Sequence, residues 1–200
     1  MASIEPGIAN PDSYLTGKLL IAMPRMGDPR FHKAVIFVCT HDENGAMGLV
    51  INQVSPRLEF KSLLEQLKIT SDIEFDPAAF PDIPVMNGGP VEQVRGFLLH
   101  SSDFAQKDTV PVDGDYGVTG TLDALKAVVT GKRPDHMLFA LGYAGWEPGQ
   151  LEDELRQNVW LVVSPDTDIV FDAPASEKWL MAVRKLGFDP AMLSGEVGRA

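Results

Sequence analysis

Cys39 and His41 stand two apart in the run VIFVCTHD. In a strand that spacing sets a thiol and an imidazole on one face, the juxtaposition a cysteine nucleophile requires. The competing expectation is a small buried hydrophobe, because Cys39 ends an apolar run. His41 and His100 each stand where a strand-like run passes into a polar loop, CTHDENG and LLHSSD. If those two strands are neighbours, both imidazoles converge with Ser101 and Asp103 in an acid/base centre. If they are not, each histidine is expected to bond loop backbone, since a buried polar group needs a partner wherever it sits. Neither histidine has a metal-ligating partner at helical spacing, so no metal site is expected.

Two glycine-rich stretches are candidates for binding rather than covalent chemistry. MNGGPV at 86–91 either cradles a ligand with exposed backbone N–H groups or forms an Asn-Gly turn. LGYAGWEPGQLEDEL at 141–155 reads as a strand end, a loop with Tyr143 and Trp146, and a helix that Pro148 opens. Glu147, Glu152, Asp153 and Glu154 crowd that helix start and repel a phosphate. A neutral, cationic or peptide partner suits such a surface better. Trp146 either lines it or plugs the sheet. The candidate binding groove therefore comprises His41, Asn52, Asn87, Gly88, Gly89, His100, Ser101, Tyr143, Trp146 and Gln150, from loops at 41–52, 87–101 and 142–150. No G-x-G-x-x-G, Walker, G-x-S-x-G or H-E-x-x-H pattern occurs, so no cofactor is expected and no catalytic signature stands out.

The elements that must position these residues are legible from periodicity and turn signals. Strands are expected at 19–23, 34–41, 46–53, 85–86, 96–101, 137–141 and 159–163, with a short one at 169–171. Asn44-Gly45 makes 34–41 and 46–53 an antiparallel hairpin. Helices are expected at 58–68, after Thr121 up to Gly131, at 148–157 and from Pro174 to Gly187. A Pro- and Asp-rich loop spans 70–84. Hairpins followed by strands alternating with helices predict an α+β fold, or mixed α/β, with a mixed, partly antiparallel sheet flanked by helices.

Two hundred residues, 44% of them hydrophobic, fit one domain over 15–200 behind a loose arm at 1–14. No apolar run approaches the roughly 18 residues of a membrane span, and the N-terminus has no secretory pattern, so no membrane association and a cytoplasmic location are expected. One cysteine excludes an intrachain disulfide framework. With 17 basic against 28 acidic residues the formal charge is -11, and the cations are scattered. Direct nucleic-acid binding is not expected, because clustered Lys/Arg supplies most of that affinity.

The stretches at 15–53, 87–101 and 141–161, with the ending LGFDPAMLSGEVGRA, resemble the AlgH/YqgE family of bacterial proteins. The resemblance spans nearly the whole chain. It implies a cytoplasmic mixed α/β protein with a suggested role as a transcriptional regulator, and it carries over no catalytic assignment. The family's recurring residues map here onto Pro24, Asp28, Phe31, His41, Gly45, Gly48, Asn52, Gly88, Gly89, Pro90, Gly96, His100, Ser101, Gly142, Tyr143, Gly145, Trp146, Gly149, Gln150 and Leu151. Two functions are thus carried forward. One is a regulatory or binding protein acting through an unknown protein or small-molecule partner; the other is a small-molecule enzyme with a His41/His100/Ser101 centre.

Overall fold

The computed structural model describes residues 14–69, 82–189 and 193. Ten strands are assigned: β1 (Leu19–Ala22), β2 (Val35–Asp42), β3 (Gly45–Val50), β4 (Val54–Glu59), β5 (Pro84–Asn87), β6 (Val91–Ser101), β7 (Val110–Val112), β8 (Tyr116–Thr119), β9 (Met137–Trp146) and β10 (Trp160–Val163). Four α-helices accompany them: α1 (Phe60–Gln66), α2 (Leu122–Val129), α3 (Gln150–Arg156) and α4 (Ala175–Lys185). The strands form one sheet in the order β10-β1-β2-β3-β9-β6-β8-β7, with β4 paired to β5 and β5 to β9. Among the described residues only β5 and β9 run parallel. The fold is α+β, with a mixed sheet.

β9 is the organising strand. Along one edge β3 pairs with Ala144 to Trp146 and β5 with Phe139 to Leu141, while β6 takes the other edge from Met137 to Tyr143. Gly88 sits where β3 and β5 meet: its N–H donates to Leu141 O at 2.8 Å, and its carbonyl accepts from Val50 N at 2.8 Å. A Cβ on Gly88 would lie 2.2 Å from Gly142 O, and one on Gly142, at φ +72°, 2.4 Å from Gly89 O. Glycine is therefore required here so that one backbone can lie against another. The NGGP stretch is a backbone crossing before it is anything else.

Strands β1 and β2 bury both faces, which is why LLIA and VIFV are continuous apolar runs rather than alternating ones. Leu19, Ile21, Val35 and Phe37 face a cluster covered by Trp179, Ala182 and Val183 of α4. Leu20, Ala22, Ile36 and Val38 face the opposite way, toward Trp146, Leu151 and Trp160 beside α3. Phe60 and Leu64 of α1 and Leu125 and Val128 of α2 cover the other half of the sheet over Leu98 and Phe139. Phe37 on β2 and Tyr116 on β8 touch at 5.0 Å between ring centroids, although three strands separate them in the sheet order. The sheet therefore curls, and the cluster under α4 fills its concave side.

Several expectations are corrected. The stretch 142–146 is strand, since Ala144, Gly145 and Trp146 pair with β3. Helix α3 begins at Gln150 behind Gly149 at φ +79°, so Pro148 precedes the helix instead of opening it. Residues 58 and 59 belong to β4, and Asp168–Asp172 is a π-helical turn, not a strand. The hairpin after β2 turns on Glu43 and Asn44, with Asp42 opposite Gly45. Strands β4, β7 and β8 were not foreseen: β7 and β8 have only three and four residues, and β4 and β7 carry proline. Residues 1–13 of the expected arm and most of the 70–84 loop lie outside the described residues.

Candidate functional site

The two histidines do not meet. His41 is opposite Ala46, which is opposite Trp146, whereas His100 is opposite Met137. Nine residue steps of β9 separate those positions, roughly 30 Å at about 3.3 Å per residue. An acid/base centre of His41, His100 and Ser101 is excluded by that register.

Each histidine is instead sealed into its own bonding set. The His41 ring accepts from Leu15 N at Nδ1, 3.0 Å, so its proton sits on Nε2 and is donated to Glu152 Oε1 at 3.1 Å. Tyr14 packs edge-on against the same ring. His41 thus ties the start of the described chain to α3. The His100 ring donates from Nδ1 to Ser101 O and accepts from the Thr119 hydroxyl at Nε2, both at 2.9 Å. Thr119 accepts in turn from Thr109 at 2.7 Å, and Thr109 from Gln106 N at 2.8 Å. Burial pushes the His100 pKa below the ordinary histidine value, against the opposing pulls of the Ser101 carbonyl and Asp103. Ser101 donates to Asp103 and accepts from His136 N, so no imidazole ring reaches its hydroxyl.

Cys39 is also removed from chemistry. The β2–β3 register slips between Val38 and Thr40, interrupting the alternation that would place Cys39 and His41 on one face. Cys39 joins the cluster under α4, and burial pushes its thiol up to about 12. A thiol so raised supplies no thiolate near neutrality.

Three cavities adjoin one another around the β5–β6 connection and the C-terminal end of β9. The first, about 400 Å³, is bounded by Gln53, Asn87, Gly89 and Gln93 over Val50 and Leu141. Arg30, Phe31 and Pro90 separate it from a second of about 580 Å³, whose walls include Trp146, Gln150, Glu154 and Trp160. Val91, Gly145 and Trp146 are shared by this second cavity and a third of about 660 Å³, which reaches Ala46, Tyr143 and Pro148. Linked in series by these shared wall residues, the three cavities are together termed the trough. Asn87, Gly89, Tyr143, Trp146 and Gln150 line it. His41, Asn52, Gly88, His100 and Ser101 do not. Asn52 is occupied structurally, accepting from Val35 N and donating to Lys33 O, each at 2.8 Å.

Trp146 is both plug and wall. It is 8% exposed and packs in the cluster beside α3, yet its edge borders two of the cavities. Its indole N–H donates to Glu154 Oε2 at 2.9 Å, and the indole of Trp160 donates to the same oxygen at 2.7 Å. Gln150 Nε2 donates to Glu154 Oε1 at 2.9 Å, while Gln150 Oε1 accepts from Glu147 N. The two indoles meet edge to face at 6.0 Å, and Phe31 meets Trp160 likewise at 5.8 Å. Sequence reasoning reached Trp146 and Gln150 but missed Glu154 and Trp160. The available signal was the i, i+4 spacing of Gln150 and Glu154 on a helix with a tryptophan before and after it.

A separate polar cavity of about 580 Å³ holds Arg133, His136 and Asp172. There His136 Nδ1 lies 3.1 Å from Asp172 Oδ1, and its ring stacks on Phe171. Among the described residues no cluster of three or more His, Cys, Asp or Glu side chains is arranged to hold a metal ion. No helix among them is long and apolar enough to cross a membrane.

A family model described as AlgH-like matches residues 19–191. The chain belongs to the AlgH-like family. A UPF0301 protein of Rhodopseudomonas palustris (strain HaA2) is 48% identical over 204 residues, covering 98% of this chain and 93% of that relative. A UPF0301 protein of Jannaschia sp. (strain CCS1) is 48% identical over 188 residues, covering 93% and 95%. The solution structure of the AlgH protein from Pseudomonas aeruginosa superposes with a TM-score of 0.73 at 41% identity, over 94% of this chain and 97% of that one. A crystal structure of a Corynebacterium diphtheriae protein shares the fold, with a TM-score of 0.67 at 20% identity over 92% and 91% of the two chains. Every trough residue named above falls within the AlgH-like match.

Proposed function

We propose that this AlgH-like protein is a cytoplasmic binding protein that works non-covalently through the trough, and that any effect on transcription passes through a bound partner rather than through DNA. The observation that carries this reading is the trough itself. Its walls come from three segments remote in sequence, around Asn87 to Gln93, Tyr143 to Trp146 and Phe31, while the side chains best suited to covalent chemistry are sealed elsewhere. Concave, largely preformed sites of several hundred Å³ with a few polar groups are where ligands bind. A formal charge of -11 disfavours the phosphate neutralisation that direct DNA binding requires.

Amide chemical-shift mapping against a mixed library of short peptides and metabolites tests the reading. Perturbations concentrated on residues 87–93 and 143–150 are the expected result. Perturbations confined to the cavity around His136 would overturn it, as would sequence-selective DNA binding in a low-salt gel shift.

A further inference from the structure

Resting on the trough reading, we propose that its middle cavity is a site for an organic cation, an alkylammonium or guanidinium group held at the Glu154 carboxylate within the frame of Phe31, Trp146 and Trp160. The charge balance of the walls points there. Asp28 and Arg30 border the cavity but neutralise each other, with Arg30 Nε 3.0 Å from both Asp28 oxygens and its terminal nitrogen 2.6 Å from Oδ2. Every other wall residue except Glu154 is neutral. Glu154 is thus the single uncompensated charge of the cavity. Its three protein bonds come from two indoles and an amide, all neutral donors. A carboxylate offers about four lone-pair sites, so three aimed donors fix its orientation and leave acceptor capacity on a residue that lines the cavity.

The aromatic residues frame the site without supplying its charge preference: the indole N–H edges of Trp146 and Trp160 point at Glu154, and the Phe31 ring already carries the Arg30 guanidinium, 5.9 Å from its centroid. The preference for a cation rests on the carboxylate. An anion in the same cavity meets Glu154 and is repelled. A neutral ligand leaves the carboxylate without a counter-charge. The field of a chain with formal charge -11 adds a long-range attraction of the same sign. The cation can come from a free small amine or from a lysine or arginine side chain lying along the trough. The ligand chemistry is the same in both.

The test uses the full chain and the indole N–H resonances of Trp146 and Trp160, whose protons point at Glu154. n-Butylammonium and n-butylguanidinium are titrated beside neutral n-pentanol and n-butylurea, and acetyl-Ala-Arg-Ala-amide beside its citrulline counterpart. Saturable shifts of both indole resonances are expected from the cations, with neutral partners at least about tenfold weaker. Glu154→Gln retains a carbonyl acceptor for the indoles, so its unfolding midpoint should stay near that of the parent while cation affinity falls by about tenfold. A tighter arginine peptide than butylguanidinium identifies a polypeptide side chain as the source, and equal affinities identify a free amine. Equal binding of cations and neutral isosteres along the trough would end the cation assignment and leave the trough reading standing. If neither kind shifts any trough residue, both fall. The wild-type comparison of charged and neutral probes decides the matter even if the variant unfolds.

Discussion

Glu154 shows how one side chain does several jobs at the residue scale. Because two nearly buried indoles donate to one of its oxygens, Glu154→Ala strands both N–H groups and should cost about 2–4 kcal/mol, whereas Glu154→Gln should cost under about 1 kcal/mol. Urea denaturation of both variants checks the pair. His100 gives a pH-dependent prediction. Its folded pKa lies below the ordinary value, so the unfolded chain takes up its proton first, and stability falls as pH drops from about 6.5 through the depressed folded value. His100→Gln should flatten that part of the curve while leaving the carboxylate-driven loss below about pH 4. Lys178 behaves in the same sense at the alkaline end. It is 1% exposed, donates to Val170 O at 2.6 Å, and burial lowers its pKa to about 8. The cost of its buried charge is complete below pH 8 and is relieved as pH rises toward 10.5, so stability gains there. Lys178→Met should abolish that gain, as read from unfolding midpoints at pH 7.5 and 9.5. Of the residues expected in a groove, Tyr143, Trp146 and Gln150 border cavities, in keeping with the reading of aromatic and amide side chains beside glycines. His41 and His100 misled, since residue type carries no information about whether two strands are neighbours.

Elements turn those residues into a site through β9. Its path through 142–146 was hidden in the sequence because Gly142 and Gly145 carry a turn signal, yet here they serve a strand crossed by another backbone. Two glycines separate the causes. Gly142 and Gly149 have φ of +72° and +79°, but a Cβ at Gly142 meets Gly89 O at 2.4 Å, and one at Gly149 meets nothing within 4 Å. Gly149→Ala should therefore cost about 1–2 kcal/mol, the penalty of a left-handed alanine alone. Gly142→Ala should cost clearly more, because the β5–β9 crossing must open. Thermal unfolding of the two variants gives the comparison. Helices α2 and α4 were legible from their apolar spacing and stop signals. Strands β7 and β8 escaped because three- and four-residue strands with proline or glycine present too few alternating positions to read.

At the scale of the whole molecule, class and composition were readable while arrangement was not. Apolar runs and hairpin signals carried the α+β class, because those are local consequences of burial and turn chemistry. Strand order and the curl that brings Phe37 to Tyr116 depend on pairings between distant segments, which leave no local trace. The same topology has a consequence for biosynthesis. β3, β5 and β6 all wait for β9, which begins at residue 137 of 200, and β1 waits for β10 at residue 160. Emerging from the ribosome, the nascent chain can pair β2 on both edges by residue 50, but the outer edges of β1 and β3 and one edge each of β5 and β6 stay open until β9 and β10 have been translated. Such edges invite pairing with other chains. Yield of the folded protein should therefore depend on the rate of translation and on chaperone supply more than its final stability would suggest.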